Sequence, residues 1–284
     1  SFAKNTPMVD VALEDYGLLY RLASKGKHPK MKINIQSKDF GKTETFNTIA
    51  TIRGTEKPNE YVLLSAHLDS WDGSQGATDN GTGTITMMEV ARILKEVLPN
   101  PKRTIIIGHW DSEEQGLNGS RAYAEDNPEI MKNTVVSFNQ DSGTGRIVNL
   151  SGQGYVNAYD YLGRWLDNVP SEITKDVKTT FPGTPGTGGT DNAAFIPYGV
   201  PAFNLGSQNW GYGGYTWHTN RDSYDKILFN VLKRNVILTA LLTYQAAQDE
   251  NEISNEKRVV SLDKDGKPQE GPKPKSPNRS GDYK

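Results

Sequence analysis

Cysteine is absent from the 284 residues, which removes disulfides, thiolate metal sites and thiol nucleophiles together. No apolar run approaches the roughly 18 residues that a membrane-crossing helix needs. Neither sign of charge dominates: 32 Lys and Arg stand against 34 Asp and Glu, for a net −2. A nucleic-acid-binding face and a polybasic membrane patch are therefore not expected. Histidine is scarce, with His28, His67, His109 and His218 making up the set of four. The chain opens on Ser1 without a signal-peptide pattern, the look of a mature form or an excised fragment. What remains, at 35% hydrophobic and 23% charged residues, is a soluble globular protein with a sizeable core.

What is present concentrates in Tyr61 to Thr84, YVLLSAHLDSWDGSQGATDNGTGT. Tyr61 to Ala66 has the length and content of a buried strand. It ends at His67 and Asp69, two residues apart and so on one face. Asp79-Asn80-Gly81 then opens a helical pattern, Ile85 to Leu98. From Tyr61 through Ala91 there is no Lys or Arg, yet Asp69, Asp72, Asp79 and Glu89 fall there. Carboxylates beside a buried strand with no basic partner in sequence must protonate, stay wet or hold a cation. The neighbouring imidazole favours the cation.

The rest of the chain reads as alternating strands and helices. A helix is expected over Leu13 to Ser24, and strands over Lys32 to Ile35 and Phe46 to Arg53, with a polar turn at Lys38 to Lys42. Thr104 to Trp110, Thr134 to Asn139, Val148 to Ser151 and Ala202 to Leu205 are further strands. Asn118 to Asn127, Tyr159 to Leu166 and Lys226 to Gln248 are further helices, the last amphipathic. Phe181 to Asp191 and Gly206 to Trp217 read as loops. The pattern predicts an α/β three-layer sandwich, with a mixed, mainly parallel central sheet and helices on both faces. Residues 1–250 are expected to form the catalytic domain, and 251–284 a polar, flexible extension.

In such sheets ligands gather at the carboxyl ends of the strands. Three strands here end in His67-x-Asp69, Asp111-Ser-Glu113-Glu114 and Asp141, and a later loop brings His218. Each has a blander reading. A histidine beside an aspartate is often a hydrogen-bonded core pair, Asp79 suits a helix N-cap, and Asp141 suits a turn. His28 is a solvated loop residue and His109 a core histidine. As a set, His67, Asp79, Glu114, Asp141 and His218 suit metal. Nitrogen and oxygen ligands without sulfur fit zinc, with manganese or cobalt as substitutes. Three carboxylates leave one dication over-neutralised, so the charge count favours two ions, with Asp79 at the helix start as the bridge. Side chains of adjacent residues diverge, so within Glu113-Glu114 one carboxylate can bind metal while its neighbour faces the bound water as general base. Asp69 suits a role orienting the His67 ring.

The runs HLDSWDGSQGATDNGTGT, DSEEQGLNGSRAY, NQDSG, GGTDNAAF and WHTNRDSYDKI resemble the co-catalytic zinc exopeptidases, and among them the plasma glutamate carboxypeptidase branch. The likeness covers about Asn47 to Gln248, with the motifs in the family's order. It implies a pair of Zn²⁺ ions, one on His67 and Asp141, the other on Glu114 and His218, bridged by Asp79. It also implies Glu113 as general base and Asp69 as the catalytic residue that steers it or the adjacent ligand. The implied reaction is hydrolysis of a terminal peptide bond in dipeptides or short peptides. Amino- and carboxyl-terminal trimming stay open, the branch leaning toward dipeptides and carboxypeptidase action. A single-zinc glutaminyl cyclase and a non-catalytic binding relative are the alternatives. The family carries His where this chain has Asn192, a substrate-side position. Tyr212 and Tyr215, in the aromatic loop, are candidate donors to the oxyanion. By resemblance the protein is secreted or periplasmic, with a homodimer allowed, and Ser1 to about Asp15 is the end of an inserted domain carried by relatives.

Overall fold

The computed structural model describes residues 9–36, 38, 41–255, 262–268 and 271–279. They fall into two compact units, Ser1–Glu44 with Asn278–Lys284, and Thr45–Pro277. The first unit carries helix α1 (Leu13–Ser24), as its periodicity predicts. The alternating segment Lys32 to Ile35 is not a strand: among the described residues nothing pairs with it, and Ile33 and Ile35 are exposed. Alternation marks a half-buried surface only where a neighbouring strand supplies the ladder. The expected turn at Lys38 to Lys42 lies partly outside the described residues.

The second unit holds a seven-stranded mixed sheet. Its strands are β1 (Thr48–Ile52), β2 (Lys57–His67), β3 (Arg103–Trp110), β4 (Thr134–Asn139), β5 (Ile147–Ser151), β6 (Lys178–Thr180) and β7 (Ala202–Ser207). The order across the sheet is β1-β3-β2-β4-β7-β5-β6. β3, β2, β4 and β7 run parallel, β1 pairs antiparallel with β3, and β5 pairs antiparallel with β7. β3 is buried along its whole length, as a strand covered on both faces must be.

Successive side chains of the central strands point to opposite layers. On one face Val62, Leu64, Ile105, Ile107, Val136 and Phe138 meet three helices, α2 (Thr82–Val97), α5 (Ala158–Asp167) and α8 (Phe229–Gln248). On the other, Leu63, Ile106 and Trp110 meet α3 (Asn118–Asp126), α4 (Pro128–Asn133) and α7 (Asn192–Phe195). α2 buries Met87, Val90 and Leu94, spaced to share one helical face. The short helix α6 (Ser171–Thr174), β6, α4 and α7 are absent from the reading of the sequence. β6 is three exposed residues, defined only by its pairing with β5. Beyond α8, Ile253 is buried with the core of the larger face, so the start of the extension packs there. Among the described residues no helix is long and apolar enough to cross a membrane.

Candidate metal centre

The register aligns the carboxyl ends of three parallel strands. His67 ends β2 opposite Trp110 of β3, and Ser65 lies opposite Asn139 of β4. The chain leaving these ends supplies His67, Asp69, Glu113, Glu114 and Asp141 to one crevice, the position expected for ligands in a parallel sheet.

There His67 and Asp141 form one group and Glu114 and His218 another. The Nε2 of His67 lies 3.3 Å from Asp141 Oδ1, and that of His218 lies 2.9 Å from Glu114 Oε2. Asp79 stands between them. Its Oδ1 is 3.3 Å from His67 Nε2 and its Oδ2 is 3.5 Å from His218 Nε2. One carboxylate thus presents an oxygen to each group. Potential ligand atoms of His67, Asp79 and Asp141 lie within 4.8 Å of one another, as do those of Asp79, Glu114 and His218.

The buried carboxylate oxygens Asp79 Oδ2 and Glu114 Oε1 have no hydrogen-bond partner. Orphaned buried acceptors are costly unless a cation meets them, so the residues present fit divalent ions. The electrostatics agree. Burial, then the charge of Asp191, raises the pKa of Glu113, and burial, then Asp79, raises that of Glu114. Burial opposes charge on His67, but hydrogen bonds to Asp141, Asp69 and Asp79 hold it well above its usual value. These carboxylates cannot all ionise side by side without positive charge among them.

Asp69 does more than face the imidazole. Its carboxylate accepts the backbone N–H groups of Glu113 and Glu114 at 3.0 and 3.2 Å, while its carbonyl lies 2.9 Å from His67 Nδ1. One residue therefore fixes the first histidine and the Glu-Glu turn together. The Asp79 turn, Ala77–Gly81, precedes α2, and Asp79 itself is non-helical at φ −127°, ψ 89°. It is not a helix N-cap, and its rigidity comes from elsewhere. Next to it, Asn80 Nδ2 donates to the carbonyl of Gln140 at 2.9 Å and Asn80 Oδ1 accepts from Gly83 N. A Cβ on Gly83 would come within 2.3 Å of those same groups, so only glycine lets α2 start so close to the Asp141 turn.

The aromatic loop contributes unequally. Tyr212 turns inward over Gly143, where a Cβ would sit 2.7 Å from its ring. Burial, followed by the charges of Asp141 and Asp79, pushes its phenol pKa up. Tyr215 is 48% exposed and packs under Arg221 instead. Asn192 is buried and donates to the carbonyl of Ala202, so its amide is spent on backbone. His109 is buried in β3 and His28 is exposed in its loop.

Three contributors escape a reading of the sequence. Trp71 donates its indole N–H to Glu114 Oε2 at 2.7 Å and packs 5.1 Å from the His218 ring. Asp191 is fully buried, with the Ser120 hydroxyl as its hydrogen-bonding neighbour, and burial raises its pKa to about 7. Asp222 holds the Asp79 turn across 143 residues of sequence. The roles of Trp71 and Asp222 show only in their partners, far off in the chain.

A sequence model of Peptidase family M28 matches residues 47–243. Rat carboxypeptidase Q is 32% identical over 200 residues, covering 70% of this chain and 41% of its own length. Human carboxypeptidase Q is 35% identical over the same shares. Among solved structures, a peptidase M28 precursor from Shewanella amazonensis aligns with TM-score 0.74 at 27% identity, over 84% of this chain and 53% of that one. A zinc aminopeptidase from Bacillus subtilis aligns with TM-score 0.57 at 26% identity, over 75% of this chain and 52% of that one. The chain thus spans about two-fifths of these curated relatives and half of these solved ones.

Proposed function

Because the chain belongs to peptidase family M28, we propose that it is a metal-dependent exopeptidase hydrolysing a terminal peptide bond of dipeptides or short peptides. The observation that carries this reading is the split of Asp79, one oxygen toward His67 and Asp141, the other toward His218 and Glu114. His67 with Asp141 and Glu114 with His218 would hold two zinc ions bridged by Asp79. Ions bound there would supply Lewis acidity toward the scissile carbonyl and a lowered pKa for the attacking water.

The protein's own groups do the rest. Glu113, 9% exposed beside His67 and Glu114, accepts the proton of the attacking water and returns it to the leaving amine. Asp69 holds the Glu113 and Glu114 amides, keeping base and ligand in fixed relation. The Tyr212 hydroxyl, over the Asp79–Asp141 side, is the donor suited to the developing oxyanion.

The test is metal content measured alongside a panel of dipeptides and aminoacyl anilides, with and without chelator. Two zinc equivalents and chelator-sensitive hydrolysis are expected. A single equivalent with no hydrolysis would overturn the reading in favour of cyclase-like chemistry.

A further inference from the structure

We infer that Asp222 is a positioning residue that couples the two proposed ion positions by locking the bridging Asp79 to the turn that delivers His218. The inference rests on the dinuclear reading above and deepens it.

Asp222 is 1% exposed, and among the described residues no Lys or Arg pairs with it. Its carboxylate is turned wholly onto the Asp79 turn. Oδ1 accepts the backbone N–H and the hydroxyl of Thr78, each at 2.7 Å, and Oδ2 accepts the N–H of Asp79 at 2.8 Å. Its carbonyl accepts the N–H groups of Gln75 and Ala77 at 3.1 and 3.4 Å. A single residue therefore takes five hydrogen bonds from the stretch Gln75 to Asp79.

The need for it follows from the backbone. Asp79 and Asn80 are non-helical, so the N–H of Asp79 has no place in the ladder of α2 and needs another buried acceptor. An ionised carboxylate is the stronger kind of acceptor for such N–H groups. On the opposite side the Ser70 hydroxyl donates to the Asp79 carbonyl at 2.6 Å. With both backbone ends held, the Asp79 side chain has little freedom left, and its two oxygens stay divided between the two histidines.

Asp222 also belongs to the His218 turn. Its N–H donates to the Thr219 carbonyl, whose own N–H donates to Thr216, and Thr216 Oγ1 lies 2.9 Å from Thr78 Oγ1. Closing this turn brings His218 in and fixes Asp79 in the same act. The two ion positions are accordingly not independent.

Asp222→Asn tests this. The amide matches the carboxylate in shape but sets an N–H₂ against either Asp79 N–H or Thr78 N–H, donor against donor. Loss of such support around a metal typically weakens affinity about 10–100-fold, and that drop is expected for both zinc equivalents in titration calorimetry. The cobalt-loaded variant should show an altered visible spectrum and weaker coupling between the ions, and kcat should fall more than KM rises. A purely structural role would instead lower the melting temperature of metal-free and zinc-loaded protein alike, leaving zinc affinities and the cobalt spectrum unmoved. That result overturns the inference.

Should Asp222→Asn fail to fold, Thr78→Val removes one of the carboxylate's three donors. It should weaken both zinc equivalents by a smaller factor, and unchanged affinities for both would overturn the inference equally. The unsubstituted protein in the same titration separates the two readings. If it takes up no second zinc, the dinuclear reading itself fails; if it takes up two and the variant matches it, only the role of Asp222 falls.

Discussion

The indole N–H of Trp71 donates to Glu114 Oε2 at 2.7 Å, and the same ring packs 5.1 Å from that of His218. Trp217 stacks on the same imidazole, ring centroids 3.9 Å apart. The Glu114–His218 pair is thus held by aromatic residues, whereas His67 is held by carboxylates and backbone. Trp71→Phe keeps the ring and deletes the donor. Zinc titration should show the second equivalent weakened by about 10–100-fold and the first little changed. Equal weakening of both would show that Trp71 supports the whole crevice rather than one pair.

Glu113→Gln removes the base without touching the five ligand-type side chains. Turnover of the best dipeptide should fall by about 10²–10⁴-fold, the range associated with a positioned general base. Zinc stoichiometry should stay the same. Retained turnover in the loaded variant would exclude Glu113 from proton transfer.

His109 gives a pH dependence that is separate from the metal crevice. Burial lowers its pKa, offset in part by a backbone hydrogen bond at Ala66, and its Nδ1 has no partner. The folded state therefore favours the neutral ring, while the unfolded chain takes up a proton near the ordinary value of about 6.5. The stability tied to this ring is present above that pH and is lost as pH falls toward the depressed folded value. Urea midpoints at pH 7.5 and pH 5.5 should differ less for His109→Gln than for the unsubstituted protein. An identical pH slope in both would show that His109 does not carry the effect.

Phe138 sits on β4 with its ring 6.3 Å from those of Trp165 and Phe203. It is fully buried, so Phe138→Ala leaves a cavity in the larger core. Urea denaturation followed by circular dichroism should show a loss of about 3–5 kcal/mol. A cost under about 1 kcal/mol, the scale of a surface substitution, would mean that the core collapses around the gap.

Much of the architecture was legible because the central strands are short apolar runs ending in chemistry-bearing residues. Thr134 to Asn139 and Leu13 to Ser24 carry their own boundaries in periodicity and in the residues that close them. Lys32 to Ile35 has the right alternation without a partner among the described residues, and β6 has a partner without the alternation, so each misleads in the opposite direction. The ligand-type residues stood out because carboxylates and imidazoles at buried strand ends need a reason to be there. Trp71 and Asp222 did not, since an indole and an aspartate in polar loops have ordinary explanations until their distant acceptors and donors are known. Which loop aromatic faces inward was likewise decided elsewhere, by the space over Gly143 that admits Tyr212.

The five ligand-type side chains are spread from His67 to His218, and the last of them arrives on the loop that follows β7. During synthesis the ribosome must release residue 218, and β7 must dock beside β4, before the set exists at all. If the set holds ions as proposed, a chain whose strands settle in the wrong register would offer too few donors to retain a dication against competing chelators. Ion retention would therefore double as a proofreading signal, distinguishing correctly threaded molecules from collapsed ones.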